Sequence, residues 1–551
     1  MAGALTVLLA GISEAIGQSV VLFVNRVSPA RFALSLLING VLIAAGFVFI
    51  VLSTWSTFLL PGARPVGLEA LAIAVAFSYA PLLAAFLGAL PYAGTAVLFA
   101  LRIWQLLAMV VAVAQIAHIP TLTSAGHVAL GWIAMLVAQH VLGKPLTAVS
   151  LRLADLAAGV HIVQEKVAVQ RAVHQLKHVS SQVGSANAAQ DRRRGSHGLP
   201  VFAGIITTFL IVAVIVAVLI PHHRSIAALS PGAILWRASF DIIWIALVGI
   251  VVAAFLAPLE TLGWWAGWYG ESVSDTAGRQ PGNAAPRRAQ ESLRYVVYLD
   301  GISQSGSRYT PDIETFLDAL ATELPAGTQL VRGIVSYSVV NRPLDDDPVY
   351  ARFWKWVEKF REGAKTQIIG MFINIRNVMI VAVSADQRYG PLYNLGIAQV
   401  IYNALIEEGY KAGSAVPVTM IGYSGGGQMC AEAAPLLTFA LGVPIDVISL
   451  GGVMTGTAPF KHIDHLYHMK GSKDAIEPLG PIMFSSRWRI FMQSPWNKAL
   501  RKGRITLIGL GPVGHQVPGG MLDPDYKLPS GKSALRNTLD HINSILTPVA
   551  P

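Results

Sequence analysis

The segment Val416-Pro-Val-Thr-Met-Ile-Gly422-Tyr423-Ser424-Gly425-Gly426 decides how the second half of this 551-residue chain is read. Val416 to Ile421 is a compact apolar run of the kind that forms a buried strand, and Gln428 to Leu441 has the length and composition of a helix. Between them lies Gly-x-Ser-x-Gly, a strand-to-helix turn sharp enough to thrust a serine hydroxyl clear of the backbone, with glycines where side chains would clash. In a chain with 51 glycines the pentapeptide alone carries little weight, so the argument rests on its position between strand and helix. The same turn sets the amide of Gly425 at a helix N-terminus, where it can donate to a developing oxyanion.

Working outward, short apolar runs alternate with helical stretches from Tyr295 onward, the pattern of βα units around a parallel sheet. Strands are predicted at Tyr295 to Leu299, Gln329 to Val335, Val416 to Ile421, Pro444 to Leu450, Ile463 to Met469 and Arg504 to Leu510. Helices are predicted at Asp312 to Thr322, Leu395 to Glu408, Gln428 to Leu441 and Lys532 to Leu546. The segment 291–551 is long enough for one large α/β domain with its own core. An insertion-sized stretch, 341–391, interrupts the pattern. It holds the aromatic and basic run Phe353-Trp-Lys-Trp356-Val357, with Phe360, and an apolar stretch from Ile368 to Val383 broken by Asn374, Arg376 and Asn377. Two readings stand for it: a lid over the site that touches a bilayer, or a buried core element of the domain.

Two further residues follow predicted strands. Gly471-Ser-Lys-Asp474 comes after the strand ending at Met469, and Gly511-Pro-Val-Gly-His515 after the strand ending at Leu510. With Ser424 they give the chain order serine, acid, histidine, separated by 50 and 41 residues. In this order and context, 291–551 resembles the α/β-hydrolase superfamily. The resemblance implies Ser424 as nucleophile, His515 as general base and Asp474 as the carboxylate that orients it. Asp464 and Glu477 are alternative acids, less well placed because the first opens a strand and the second lies a turn further out. His462, His465, His468 and His541 read as exposed or packed edge histidines. The superfamily takes a second oxyanion donor from the loop after the third strand, here Val297-Tyr-Leu-Asp-Gly301-Ile302-Ser303; no HGGG run is present, and the amide of Ile302 is the candidate beside Gly425. No cofactor or metal is implied.

The first half is chemically different. Overall, 53% of residues are apolar and 13% charged, against about 25% charged in ordinary soluble domains. Residues 1–270 hold 14 Lys/Arg and 7 Asp/Glu, whereas 271–551 hold 27 and 24. The net charge of +10 therefore divides as +7 and +3, the larger share belonging to the hydrophobic half, where loops facing an anionic membrane would carry it. Nucleic-acid binding is not needed to explain the charge. Spans are expected at 36–60, 68–90, 94–117, 127–142, 200–220 and 234–258, the fourth short. Residues 5–24, interrupted by Glu14 and Gln18, read as an amphipathic or interfacial helix.

The basic loop 144–198 contains an amphipathic helix over Leu151 to Val179, and 271–290 is a Gly/Pro/Ala/Ser-rich linker to the α/β domain. Six spans with a cytoplasmic N-terminus leave ten Lys/Arg inside and two, Arg64 and Arg224, outside, which puts the α/β domain in the cytoplasm. Arg237 and Asp241 read as a local ion pair, and the pairs His174/His178 and His222/His223 lack further ligands for a metal. The single cysteine, Cys430, excludes an intramolecular disulfide.

The sequence thus predicts a polytopic membrane domain, 1–270, followed by an α/β-hydrolase-like domain, 291–551. The expected activity is that of a membrane-anchored serine hydrolase acting on an acyl or lipid ester, with membrane lipids as its other partners. Thioester or peptide cleavage would use the same triad. A scaffold or transport-associated protein with a non-catalytic hydrolase-like domain is the reading from another class.

Overall fold

The computed structural model of the chain describes residues 2–159, 254, 256–259, 261–266, 292–304, 309–339, 341 and 366–547. The chain divides into two compact units, 1–168 with 196–216, and 169–195 with 217–551. The expected spans at 200–220 and nearly all of 234–258 lie outside the described residues, as do the linker 271–290, the run 353–357 and most of the stretch 151–198.

The first unit is helical: α1 (Ala2–Gly17), α2 (Val20–Val24), α3 (Pro29–Thr57), α4 (Leu68–Ser78) continued by a 3-10 stretch (Ala80–Ala89), α5 (Gly94–Ala117) and α6 (Thr121–Ala158). Three of its stretches, Pro29–Thr57, Leu68–Ala89 and Gly94–Ala117, are long and apolar enough to cross a membrane. They overlap the first three expected spans, the first beginning seven residues earlier than expected. The fourth forms one helix with the start of the basic segment, its apolar part ending at Val137. Apolar side chains lie both inside and outside. Leu34, Leu37, Val41, Phe99, Trp104 and Leu107 are exposed, while the interior holds Val51, Phe58, Leu71, Val75 and Met109 and close approaches at small residues: a Cβ on Gly11 would lie 2.8 Å from the Gly40 carbonyl, and one on Gly17 2.5 Å from that of Ala85.

α1 differs from the surface helix expected over 5–24. It packs along α3 and the 3-10 stretch, and its polar residues are turned to partners. Glu14 is buried, pairs with Arg102 of α5 and accepts from Gln18 Nε2 at 3.0 Å. The reading missed this because Arg102 is 88 residues away and lies in the middle of an apolar span.

The second unit is built on a six-stranded sheet, all parallel, of spatial order β2-β1-β3-β4-β5-β6. The strands are β1 (Arg294–Leu299), β2 (Thr328–Val331), β3 (Val418–Tyr423), β4 (Ile445–Leu450), β5 (Leu466–Lys470) and β6 (Ile505–Gly509). The helices are α7 (Pro311–Glu323), α8 (Thr366–Ala385), α9 (Gly390–Glu407), α10 (Gly425–Leu441), α11 (Leu479–Met483), α12 (Pro495–Arg501) and α13 (Ala534–Leu546). All six predicted strands and all four predicted helices are present. β2 is shorter than expected, and α9 and α10 start five and three residues early.

Alternate residues Val296, Tyr298, Ile421, Tyr423, Ile448 and Leu450 face one side of the sheet and form a core with α7 and α13. α13 supplies Leu535, Leu539, Ile542 and Leu546, the three- and four-residue spacing of a helix with one apolar face. α10 covers the other side against β3 and β4, with α8 and α9 outside it. Both faces are thus covered, as a parallel sheet requires. The chain leaves β1 for β2 on one side and returns to β3 on the other. The order reverses between β1 and β3, the place where open α/β sheets leave a crevice at the carboxyl ends of their strands.

The stretch Ile368 to Val383 resolves in favour of a core element in its described part. Ile373, Ile380, Val381, Ala382 and Val383 of α8 are buried, and α8 packs on α9 and α10. Trp264, N-terminal to the linker, is also buried and lies against Gly396 of α9 beside Val339.

Candidate active site

β3 delivers the chain to Ser424 at the reversal point. Ser424 has φ 53° and ψ −121°, a conformation that only glycine adopts freely and that costs a side-chain-bearing residue about 1–3 kcal/mol. The neighbours enforce it. A Cβ on Gly422 would sit 2.5 Å from the Gly426 carbonyl oxygen, and one on Gly426 would overlap the carbonyls of Leu299 and Asp300. The turn therefore brings α10 so close to the end of β3 and to β1 that glycine is required at both positions. Ser424 N donates to Leu450 O of β4 at 2.9 Å, which fixes the elbow to the sheet.

Asp474 and His515 follow β5 and β6. His515 Nδ1 and Asp474 Oδ2 are 2.8 Å apart, and both residues are buried. Asp474 Oδ1 accepts from the amides of Ile476 at 2.8 Å and Glu477 at 3.1 Å. Burial alone would raise the Asp474 carboxyl, but the His515 hydrogen bond and charge, with these amides, hold it below its ordinary value. The His515 ring stacks on Tyr423 at 5.1 Å between centroids, and Tyr423 Oη donates to His515 O at 2.7 Å. Gly451 is where the pieces meet: a Cβ there would lie 2.8 Å from Asp474 Oδ2 and 3.0 Å from His515 Cε1, one residue from the carbonyl that anchors Ser424. His515 Nε2 is buried with no hydrogen-bond partner among the described residues. With Nδ1 committed to Asp474, that nitrogen is left to accept a proton.

The loop after β1 closes the other side. Asp300 Oδ1 accepts from its neighbour's amide, Gly301 N, at 2.7 Å and from Tyr298 Oη at 3.0 Å. Burial first of all pushes the Asp300 carboxyl up to about 6, partly offset by these two donors. Gly301 lies against Tyr423 and Ser424: a Cβ on it would be 3.2 Å from Ser424 Cβ. Ile302 reaches Gly425 from the same loop, its Cγ2 3.0 Å from where a Gly425 Cβ would stand. Ile302 and Gly425 thus lie in one corner.

The alternatives separate. Asp464 precedes β5, at the opposite end of the strand from Asp474. Glu477 is engaged elsewhere, with His468 Nε2 at 3.0 Å and Arg487 at 3.1 Å. His468 is a correction to the edge-histidine reading: β5 lies between β4 and β6, so its side chain is fully buried, bridging Ser449 Oγ and Glu477. His465 contacts Thr506 at 2.8 Å, and His462 is exposed.

Sequence reasoning missed the side chains that hold this corner in place. Tyr337 Oη donates to Asp300 O at 3.2 Å and stands 2.6 Å from a Gly425 Cβ position. Asn377 Nδ2 donates to Ile302 O at 2.7 Å and Gln304 O at 2.8 Å, which pins the loop holding Ile302. Arg376 Nη1 donates to Asn377 Oδ1 at 2.9 Å. Only the polar interruptions Arg376 and Asn377 in an apolar stretch signalled this. No grouping of three or more metal-ligating side chains occurs among the described residues. No protein-family model, curated protein or solved structure matches the chain.

Proposed function

We propose that the α/β domain is a serine hydrolase that cleaves a carboxylic ester, an acyl or lipid ester, through an acyl-enzyme. The observation that supports this most is the strained turn at Ser424, with a buried imidazole stacked on the adjacent Tyr423, its Nδ1 2.8 Å from a buried carboxylate and its Nε2 unpartnered among the described residues. In this reading His515 Nε2 takes the Ser424 proton as Oγ attacks the substrate carbonyl. The amides of Gly425 and Ile302 receive the negative charge on the carbonyl oxygen. His515 then passes its proton to the leaving alcohol oxygen, and water releases the acyl group by the same steps in reverse. Asp474 keeps the ring in the productive tautomer and balances the imidazolium.

Ile302 and Val381 pack against Gly425 with methyl groups. The apolar helices of the first unit and its basic loops support a multi-pass membrane protein with this domain on the cytoplasmic side, where ester substrates resident in lipid are within reach. The test is hydrolysis of p-nitrophenyl acyl esters of increasing chain length by the full-length protein in detergent. Turnover is expected, to fall by about 10⁴-fold or more in Ser424→Ala. Equal turnover by the two proteins would overturn the assignment.

A further inference from the structure

The surface between β5 and β6 has an unusual composition. No Asp or Glu occurs between Glu477 and Asp523, while Arg487, Arg489, Lys498, Arg501, Lys502 and Arg504 do. Within the same segment Ile482, Trp488, Ile490, Phe491 and Met492 are exposed, Ile490 to 75% and Ile482 to 69%. Elsewhere among the described residues of the α/β domain, exposed large apolar side chains occur singly: Leu293, Phe439, Leu507 and Val517. Single exposed residues are ordinary, but a contiguous group is not.

The group is contiguous and held in shape. Trp488 and Phe491 have ring centroids 6.2 Å apart, and Trp488 Nε1 donates to Pro481 O at 2.6 Å, next to Ile482. Asn497 Nδ2 donates to both Trp488 O and Phe491 O, and Arg501 donates to Met492 O at 2.9 Å. Beneath it, Arg487 pairs with Glu477 and stacks on buried Trp496 at 4.1 Å. Arg489, Lys498 and Lys502 are exposed around the apolar group.

We propose that this face docks on the anionic surface of a lipid bilayer. Trp488, Phe491 and Ile490 match the headgroup boundary, where aromatic rings with one polar end reside. The acid-free basic rim matches anionic headgroups, each Lys or Arg near such a surface contributing about fivefold in binding. The same chain carries helices long and apolar enough to cross a bilayer.

The test uses full-length protein, one copy per nanodisc. Cys430 is the sole cysteine and is buried, so an environment-sensitive fluorophore can be attached selectively through Ile490→Cys, with Lys411→Cys as the exposed control. In discs of equal phosphatidylglycerol and phosphatidylcholine, nitroxide-bearing lipid is expected to quench the label at 490 several-fold more than that at 411. The combined charge reversal Arg489→Glu and Lys502→Glu, or discs of phosphatidylcholine alone, should remove most of the difference. Equal quenching at 490 and 411, protection of 490 from aqueous iodide without lipid quenching, or quenching indifferent to both charge and lipid would each overturn the proposal. The readout needs no turnover and so stands apart from the hydrolase assignment.

Discussion

Ser424 is held in a strained backbone conformation. Its φ of 53° and ψ of −121° are held by two glycine close approaches and one amide bond to β4, so the strain is stored in the folded state. A glycine at this position would relax it. Ser424→Gly is expected to raise thermal stability, by about 1 kcal/mol, while abolishing turnover; Ser424→Ala should leave stability near that of the parent. Differential scanning of the three proteins checks this, and a destabilised glycine variant would mean that the turn is not strained. The motif was legible in the sequence because glycine spacing and flanking pattern are local. Tyr337, which stands over Gly425, was not legible, because its place depends on a loop 88 residues upstream folding across the strand ends.

Among the elements, α10 carries a second unusual group. Glu432, two turns past the elbow, faces a cavity of about 260 Å³ lined also by Asp386, Asn394 and Thr457, and its nearest donor is Gln428 Nε2 at 3.4 Å. Burial pushes its carboxyl up to about 8 from 4.5, against a small opposing effect of Gln428. The folded protein therefore keeps a proton that the unfolded chain has released between about pH 4.5 and 8. Stability contributed by the neutral group is complete below the lower value, falls through this window and levels off above it. Glu432→Gln should match the parent at pH 5 and exceed it in melting temperature at pH 8.5; melting curves that stay parallel at the two pH values would contradict the assignment.

Elements were also where the sequence was most informative. Each strand is an apolar run bounded by turn residues, and a parallel sheet buried on both faces makes those runs continuous. What the pattern could not give was environment: His468 occupies a strand interior beside Glu477 and Arg487, and hydropathy alone does not distinguish a satisfied buried histidine from an edge one. α1 was misread for a related reason. Glu14 marks a polar face only if nothing answers it, and its partner Arg102 belongs to a distant helix.

For the molecule as a whole, the chain joins a helical unit with an apolar exterior to an α/β domain with an apolar core, and the charge count already separates them. The ten-to-two excess of Lys/Arg predicts cytoplasmic placement of 144–198 and of the α/β domain. A C-terminal reporter that works only in the cytoplasm should be active, and protease outside intact cells should spare the domain; cleavage from outside would reverse the orientation.

The central claim is that Ser424 is a nucleophile activated by His515. The most direct measurement is covalent capture: full-length protein in native membranes, treated with a fluorophosphonate and mapped by peptide mass. The account predicts a single adduct on the peptide containing Gly422-Tyr423-Ser424, lost in Ser424→Ala, strongly slowed in His515→Ala and slowed less in Asp474→Asn. An adduct elsewhere, or undiminished labelling of Ser424→Ala, would contradict it.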